Sequence, residues 1–244
     1  MSDVTFGFTD SWLYEDESVH PIHISKVIPD WFKNASNNVS IDHNFKYLAK
    51  KRTVKSCSSF MNVFDNGYVI VAPCDILLKY DSKKKSYAWE VSYEWETMFT
   101  EQENISVHSN DQMVKYLPNH AKDKFVFKLN LPLTIFTDKG YSIMQQTVPF
   151  TYNKDWYVPY GIFDTDKIHE VNIQIIVTTD NKEILIEKGT PLALYIPIKK
   201  EHHQLNITKI KENKVLLNRF KKYYVSLNSK FKNTAFNLRS TVNG

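Results

Sequence analysis

LPLTIFTDKGYSIM (131–144), GIFDTDKIHEVNIQI (161–175) and ILIEKGTPLALYIP (184–197) decide the fold of this chain. Each joins a run of β-branched and aromatic residues to a glycine, and GYVIVAPCDI (67–76) does the same upstream. The chain has only six glycines in 244 residues, so Gly67, Gly140, Gly161 and Gly189 mark tight corners between strands. Working outward, runs rich in Val, Ile, Tyr and Phe are expected as strands at 68–72, 76–80, 87–95, 125–129, 133–136, 171–178, 183–187 and 192–197. They recur about every ten residues with turn signals between them, the pattern of an antiparallel sandwich or barrel. VNIQIIVTTDNKEILIEKGT (171–190) reads as a hairpin turning through Asp180 and Asn181, and the lysines at 83–85 as an exposed hairpin tip.

At 42% hydrophobic residues the chain can bury one sizeable core. No apolar run approaches the roughly 18 residues of a membrane helix, and MSDVTFGFTDSW has no basic stretch followed by an apolar one, so no membrane partner is expected. Cys57 and Cys74 have no disulfide-framework or metal-finger spacing and read as buried thiols. The net charge of +4 hides a division: from Lys199 onward eleven basic residues face two acidic ones, a net of +9, which leaves −5 in the first 198. Such a tail suits an acidic protein surface, its own or a neighbour's, or nucleic acid.

Three parts follow: an N-terminal arm over 1–44, a β domain over 45–200, and a basic helical tail over 201–244. Trp12, Tyr14, Trp31 and Phe32 would anchor the arm, while Pro21 and Pro29 prevent a long helix. In the tail, Ile210, Leu217, Phe220, Tyr224, Leu227 and Phe231 fall on one stripe of a helix whose other face is Lys and Asn. That stripe packs either on the chain's own β core or on a neighbouring subunit.

Candidate chemistry is sparse. On a strand Asp164 and Asp166 would face the same side and form an acidic pair able to hold a metal; in a turn they would cap backbone N–H groups. His108, His120, His169, His202 and His203 supply no His-x-Asp pair for an iron centre, and no Gly-x-Ser-x-Gly elbow is present. No resident metal or cofactor is expected. The aromatics, 14% of the chain, mostly sit in strand patterns and read as core. Trp156, Tyr157 and Tyr160, beside Pro159, form a loop group suited to contacting a partner protein, as do Phe220, Tyr224 and Leu227 in the tail.

Read in order, the three opening segments resemble the dUTPase and dCTP deaminase superfamily, the β-clip fold: a GY turn, a "GxxDxDY" segment and an "IxxGxxIAQ" strand. IPDWF (28–32), TVKSC (53–57) and GYVIVAPCDI (67–76) resemble an uncharacterised family of tailed bacteriophages and some bacteria. The resemblance implies a mainly β, dUTPase-like antiparallel sandwich with an aromatic arm and a C-terminal amphipathic helix. It sets Asp164 on the catalytic aspartate and Asp166 on the second carboxylate, with Mg²⁺ as the cofactor of an active enzyme. It also shows departures. Lys167 replaces the sugar-stacking tyrosine, His169 a glycine and Leu194 the glutamine; ProPheThrTyr (149–152) stands near the phosphate-contacting "RSG"; and after Gly189 the only glycine is Gly244. Polyphosphate sites use arginine forks and glycine-built nests of backbone N–H groups, which this chain lacks. The expectation is therefore a non-catalytic, phage-encoded structural or binding protein in the virion or host cytoplasm. It would be a homotrimer contacting another phage or host protein, with nucleic acid as a partner for the tail. The alternative is a nucleotide-binding or nucleotide-hydrolysing enzyme of dUTPase-like ancestry using Asp164 and Asp166.

Overall fold

Strand-forming runs and glycine corners assemble into two packed five-stranded sheets. The computed structural model describes residues 3–9, 11–40, 50–81, 86–92, 104–108, 112, 125–167, 169–179, 183–223 and 225. In chain order the strands are β1 (Val4–Phe8), β2 (Ile22–His23), β3 (Asn38–Ser40), β4 (Lys50–Arg52), β5 (Tyr68–Val71), β6 (Ile76–Asp81), β7 (Ser86–Val91) and β8 (Ile105–His108). They continue with β9 (Val126–Thr137), β10 (Tyr141–Thr147), β11 (Trp156–Tyr157), β12 (Gly161–Phe163), β13 (His169–Val177), β14 (Glu183–Ile186) and β15 (Pro191–Lys199). Short helices α1 (Ser11–Glu15), α2 (Asp30–Asn34) and α3 (Ser58–Met61) precede β5. One sheet runs β1-β9-β13-β11, with β8 also on β9; the second runs β12-β10-β15-β5-β2; β14-β6-β7 and β3-β4 are smaller. Every pairing is antiparallel. The expected mainly β sandwich is what forms.

Alternation along the strands sets the core. Phe127, Leu129 and Ile135 of β9, Val171, Ile173 and Ile175 of β13, and Ile143, Ala193 and Tyr195 of the second sheet meet in one cluster between the sheets. The opposite face of the second sheet carries Val69, Val71 and Leu194, which pack under Ile24, Phe32 and Phe64. Leu194 and Tyr195 are both wholly buried yet join different clusters, so β15 is covered on both faces. That is why LALY reads as an unbroken apolar run.

The structure corrects several expectations. The strands expected at 125–129 and 133–136 are one, β9, which runs through Pro132. Proline lacks an N–H, but β9 bulges here: Leu131, Pro132 and Leu133 stand opposite Val171 alone as the register passes from Glu170–Thr134 to Asn172–Asn130, so no ladder bond is needed there. On its other edge β9 changes partner from β8 to β1 at the same place. The hairpin expected at 171–190 does not form: β13 is flanked by β9 and β11, while β14 pairs with β6; Asp180 and Asn181 lie outside the described residues. The expected strand at 87–95 is described only to Val91, and the lysines at 83–85 lie outside the described residues. The aromatic N-terminal segment contributes strands to both sheets, β1 on β9 and β2 on β5. Cys74 is buried, and burial pushes its thiol up to about 11, whereas Cys57 is half-exposed.

By contacts the chain divides into one unit through Lys200 and another from Glu201 onward. Within the second, Asn213 caps helix α4 (214–223) through its side-chain oxygen, which accepts from the Leu216 N–H at 3.1 Å. Val215, Phe220 and Tyr223 on α4 are exposed; Tyr224, Leu227 and Phe231 lie outside the described residues.

Gly67 has φ +121°, and a Cβ there would lie 2.8 Å from Leu194 Cδ1 and 2.9 Å from the Tyr195 carbonyl oxygen. Gly67→Ala should therefore lower the unfolding free energy by more than about 1 kcal/mol. Phe32→Ala should lower it by about 3 kcal/mol if the N-terminal segment is an integral wall of the core. Chemical denaturation monitored by tryptophan fluorescence checks both; a Phe32→Ala variant as stable as the parent would contradict this packing.

Candidate functional site

Strand ends converge on one turn. β12 ends at Phe163, and the chain turns through Asp164, Thr165 and Asp166 before β13. Thr165 is wholly buried; its hydroxyl lies 2.8 Å from that of Thr137, and its carbonyl accepts the Thr137 N–H at 3.0 Å. The turn is thereby docked on the end of β9. The Asp166 carboxylate accepts the N–H of Gly140 at 3.2 Å, and Asp164 accepts the Ser142 hydroxyl at 3.2 Å. Gly140, at φ +86°, supplies the left-handed corner that aims its N–H at the carboxylate.

A cation completes the arrangement. Lys200, just past β15, places its Nζ 2.8 Å from Asp164 Oδ1 and 2.7 Å from Asp166 Oδ1. Its backbone N–H donates to the Gly140 carbonyl at 2.8 Å, so main chain and side chain bind the same corner. The ammonium holds both carboxyls below the usual carboxylate range, helped by Ser142 at Asp164 and the Gly140 N–H at Asp166; the two carboxylates raise the lysine in return. The Asp164 side chain is 67% exposed and that of Asp166 14% exposed. Asp164 and Asp166 thus sit in a turn, bonded to N–H and hydroxyl donors, with the room between them taken by an internal ammonium. Among the described residues no cluster of three or more His, Cys, Asp or Glu is placed to hold a metal.

The loop after β10 has a different chemistry. Phe150 and Tyr152 adopt φ +64° and +51°, a left-handed backbone that costs bulky residues on the order of 1 kcal/mol each. Packing compensates: the Phe150 ring stacks on Phe60 at 5.3 Å and on Phe32 at 6.0 Å and lies 5.7 Å from Phe64, while its carbonyl accepts from Trp31 Nε1. Tyr152 meets Trp31 at 5.7 Å. At the position the resemblance gives to phosphate contact, this chain builds an aromatic plug.

Of the expected partner-contacting residues, Trp156 is corrected. β11 turns it inward opposite Val177, where it is only 5% exposed and belongs to the inter-sheet core. Period-two alternation sends Tyr157 outward, and Tyr160 is 78% exposed. Their loop is held by the Thr147 hydroxyl donating to the Val158 carbonyl at 2.8 Å and by Gln145 Nε2 donating to that of Pro159 at 3.3 Å. Gln145 is fixed in turn by the buried Tyr195 hydroxyl at 3.0 Å. Sequence reading missed Ile162, 65% exposed on edge strand β12, which continues across Met144 and Ile196 as an apolar stripe. Phe220 is exposed on α4, and Tyr224 and Leu227 lie outside the described residues. Separately, an apolar pocket of about 20 Å³ lies among Phe8, Leu13, Val19 and Pro132, large enough for little more than a water.

No family model matches the sequence, and no curated protein resembles it significantly. Among solved structures the chain is similar to the native dUTPase of EIAV, at 10% identity and TM-score 0.33 over 59% of this chain and 84% of that one. It is similar to a mutant dUTPase of phage 80alpha at 10% identity and TM-score 0.38, over 85% and 96%. A third is a mutant dUTPase from phage phi11 of S. aureus that coordinates a structural Mg(II) ion, at 12% identity and TM-score 0.32 over 59% and 84%. Scores of this size leave the reading of the site to this chain's own residues.

The carboxylates are depressed by Lys200, so their contribution to stability is present above the ordinary carboxylate range and fades as pH falls through their lowered values. In Lys200→Met the NMR titration midpoints of Asp164 and Asp166 should move up; midpoints unchanged from the parent would show that the ion pair does not form. Asp16, bonded to Lys188 Nζ at 2.7 Å and lowered to about 2, should titrate as in the parent.

Proposed function

We propose that this chain is a non-catalytic, phage-encoded structural or binding protein built on a dUTPase-like clip, acting through protein–protein contacts as a homo-oligomer, a trimer, in the virion. The observation that carries the reading is the Lys200 ammonium at 2.8 and 2.7 Å from the two carboxylates that the resemblance assigns to catalysis. A carboxylate neutralised by an internal ammonium is a poor general base, and a metal ion would have to displace that ammonium before binding. The Phe150 plug supports the same reading, because an apolar ring packed against Phe32, Phe60 and Phe64 offers no donor to a phosphate. The resemblance of 28–32, 53–57 and 67–76 to a phage family supports the viral setting. Exposed Tyr157, Tyr160 and Ile162 supply an apolar surface beside an edge strand, suited to subunit or partner contact.

Thermal unfolding of the full chain with deoxynucleoside triphosphates and Mg²⁺ tests this. A ligand at a hundredfold excess over its Kd would add about 2.7 kcal/mol. No shift with any of these nucleotides, dUTP included, is expected. A shift that disappears in Asp164→Asn would make the chain a nucleotide enzyme or sensor. Mass spectrometry of purified particles should find the chain in stoichiometric amount; recovery only from the soluble lysate would contradict the virion role.

A further inference from the structure

The turn that carries Asp164 and Asp166 is bracketed by two stacked rings. Phe163 before it and His169 after it lie 4.4 Å apart with their planes at 25°. His169 pairs across the ladder with Ile135, which is wholly buried in the inter-sheet core, and Phe163 lies 6.3 Å from Tyr195 of the same core. The half-buried imidazole therefore lies at the edge of the apolar interior. Its Nε2 is buried and has no hydrogen-bond partner among the described residues. An imidazole in that setting is tolerated only while that nitrogen is an unprotonated acceptor, since a buried N–H⁺ without an acceptor costs far more than a buried lone pair.

We propose that His169 makes this corner an acid-sensitive latch, in which protonation of Nε2 separates the Phe163–His169 stack and loosens the turn from Gly140 and Lys200. The groups around the ring favour this response. Glu170, its neighbour on β13, opposes the effect of burial without cancelling it. Asp164 and Asp166 are engaged by Lys200; the Tyr195 hydroxyl is bonded to Gln145; and β9 offers Thr134, Ile135 and Phe136 opposite. Among the described residues no carboxylate bonds to Nε2. Burial holds His169 below the usual histidine range, so the folded corner binds fewer protons than the opened one. Stability at the corner is complete above about pH 6.5 and falls as pH drops below it, the direction expected for a depressed histidine.

Amide hydrogen exchange of the full chain at pH 5.5 and 7.5, corrected for intrinsic rates, tests the latch. The N–H groups of Thr137, Gly140 and Lys200, which bond to or across this turn, should lose protection below pH 6.5 by up to about tenfold per pH unit, while Ile173 and Leu194 stay protected. In His169→Phe, which keeps the stacked ring, that pH dependence should vanish. The imidazole resonance of His169 in the parent gives an independent reading: it should titrate below the usual histidine range. A normal His169 midpoint, or the same loss of protection in His169→Phe, would overturn the proposal.

Discussion

One ammonium between two carboxylates closes the end of the sandwich. Lys200 binds Asp164 and Asp166 through Nζ and the Gly140 carbonyl through its own N–H, so the corner before β10, the turn after β12 and the end of β15 meet at one residue. Exposed ion pairs add little to stability, and with Asp164 mostly exposed this one is no exception. Its consequence is geometric and electrostatic. The two acids are fixed in a turn and kept ionised, and an ammonium from the same chain offsets part of their charge, which weakens the negative potential that would draw a metal ion.

A second constraint acts at the loop after β10. Phe150 and Tyr152 accept an unfavourable backbone because Phe32, Phe60, Phe64 and Trp31 hold them in place. The N-terminal segment is thus a structural wall of the second sheet, supplying both β2 and the aromatic cover over Val69, Val71 and Leu194. Among the described residues Tyr157, Tyr160 and Ile162 remain exposed on and beside the edge strand β12.

What could be read from sequence follows the range of the interactions. Strand positions and corners are local, so the β runs and Gly67, Gly140 and Gly189, all at positive φ, were legible. Pairing is not local. The 171–190 segment looks like a hairpin because two strands flank a turn signal, yet β14 finds a better edge on β6, a hundred residues upstream. Pro132 reads as a divider of two strands because the bulge of β9 that accommodates it is defined only by the pairing with β13. Trp156 reads as part of a loop surface because it neighbours Tyr157 and Tyr160, but in a two-residue strand adjacent side chains point to opposite faces. Lys200 carried no motif at all; only the fold brings it to acids 34 and 36 residues earlier.

The most direct test of the account is a crystal soaked in millimolar Mn²⁺, with anomalous difference density calculated at the corner. The account predicts Lys200 Nζ still within ion-pair distance of both carboxylates and no anomalous peak between Asp164 and Asp166. A manganese peak there, with the Lys200 side chain swung away, would contradict it and return the acidic pair to a catalytic role.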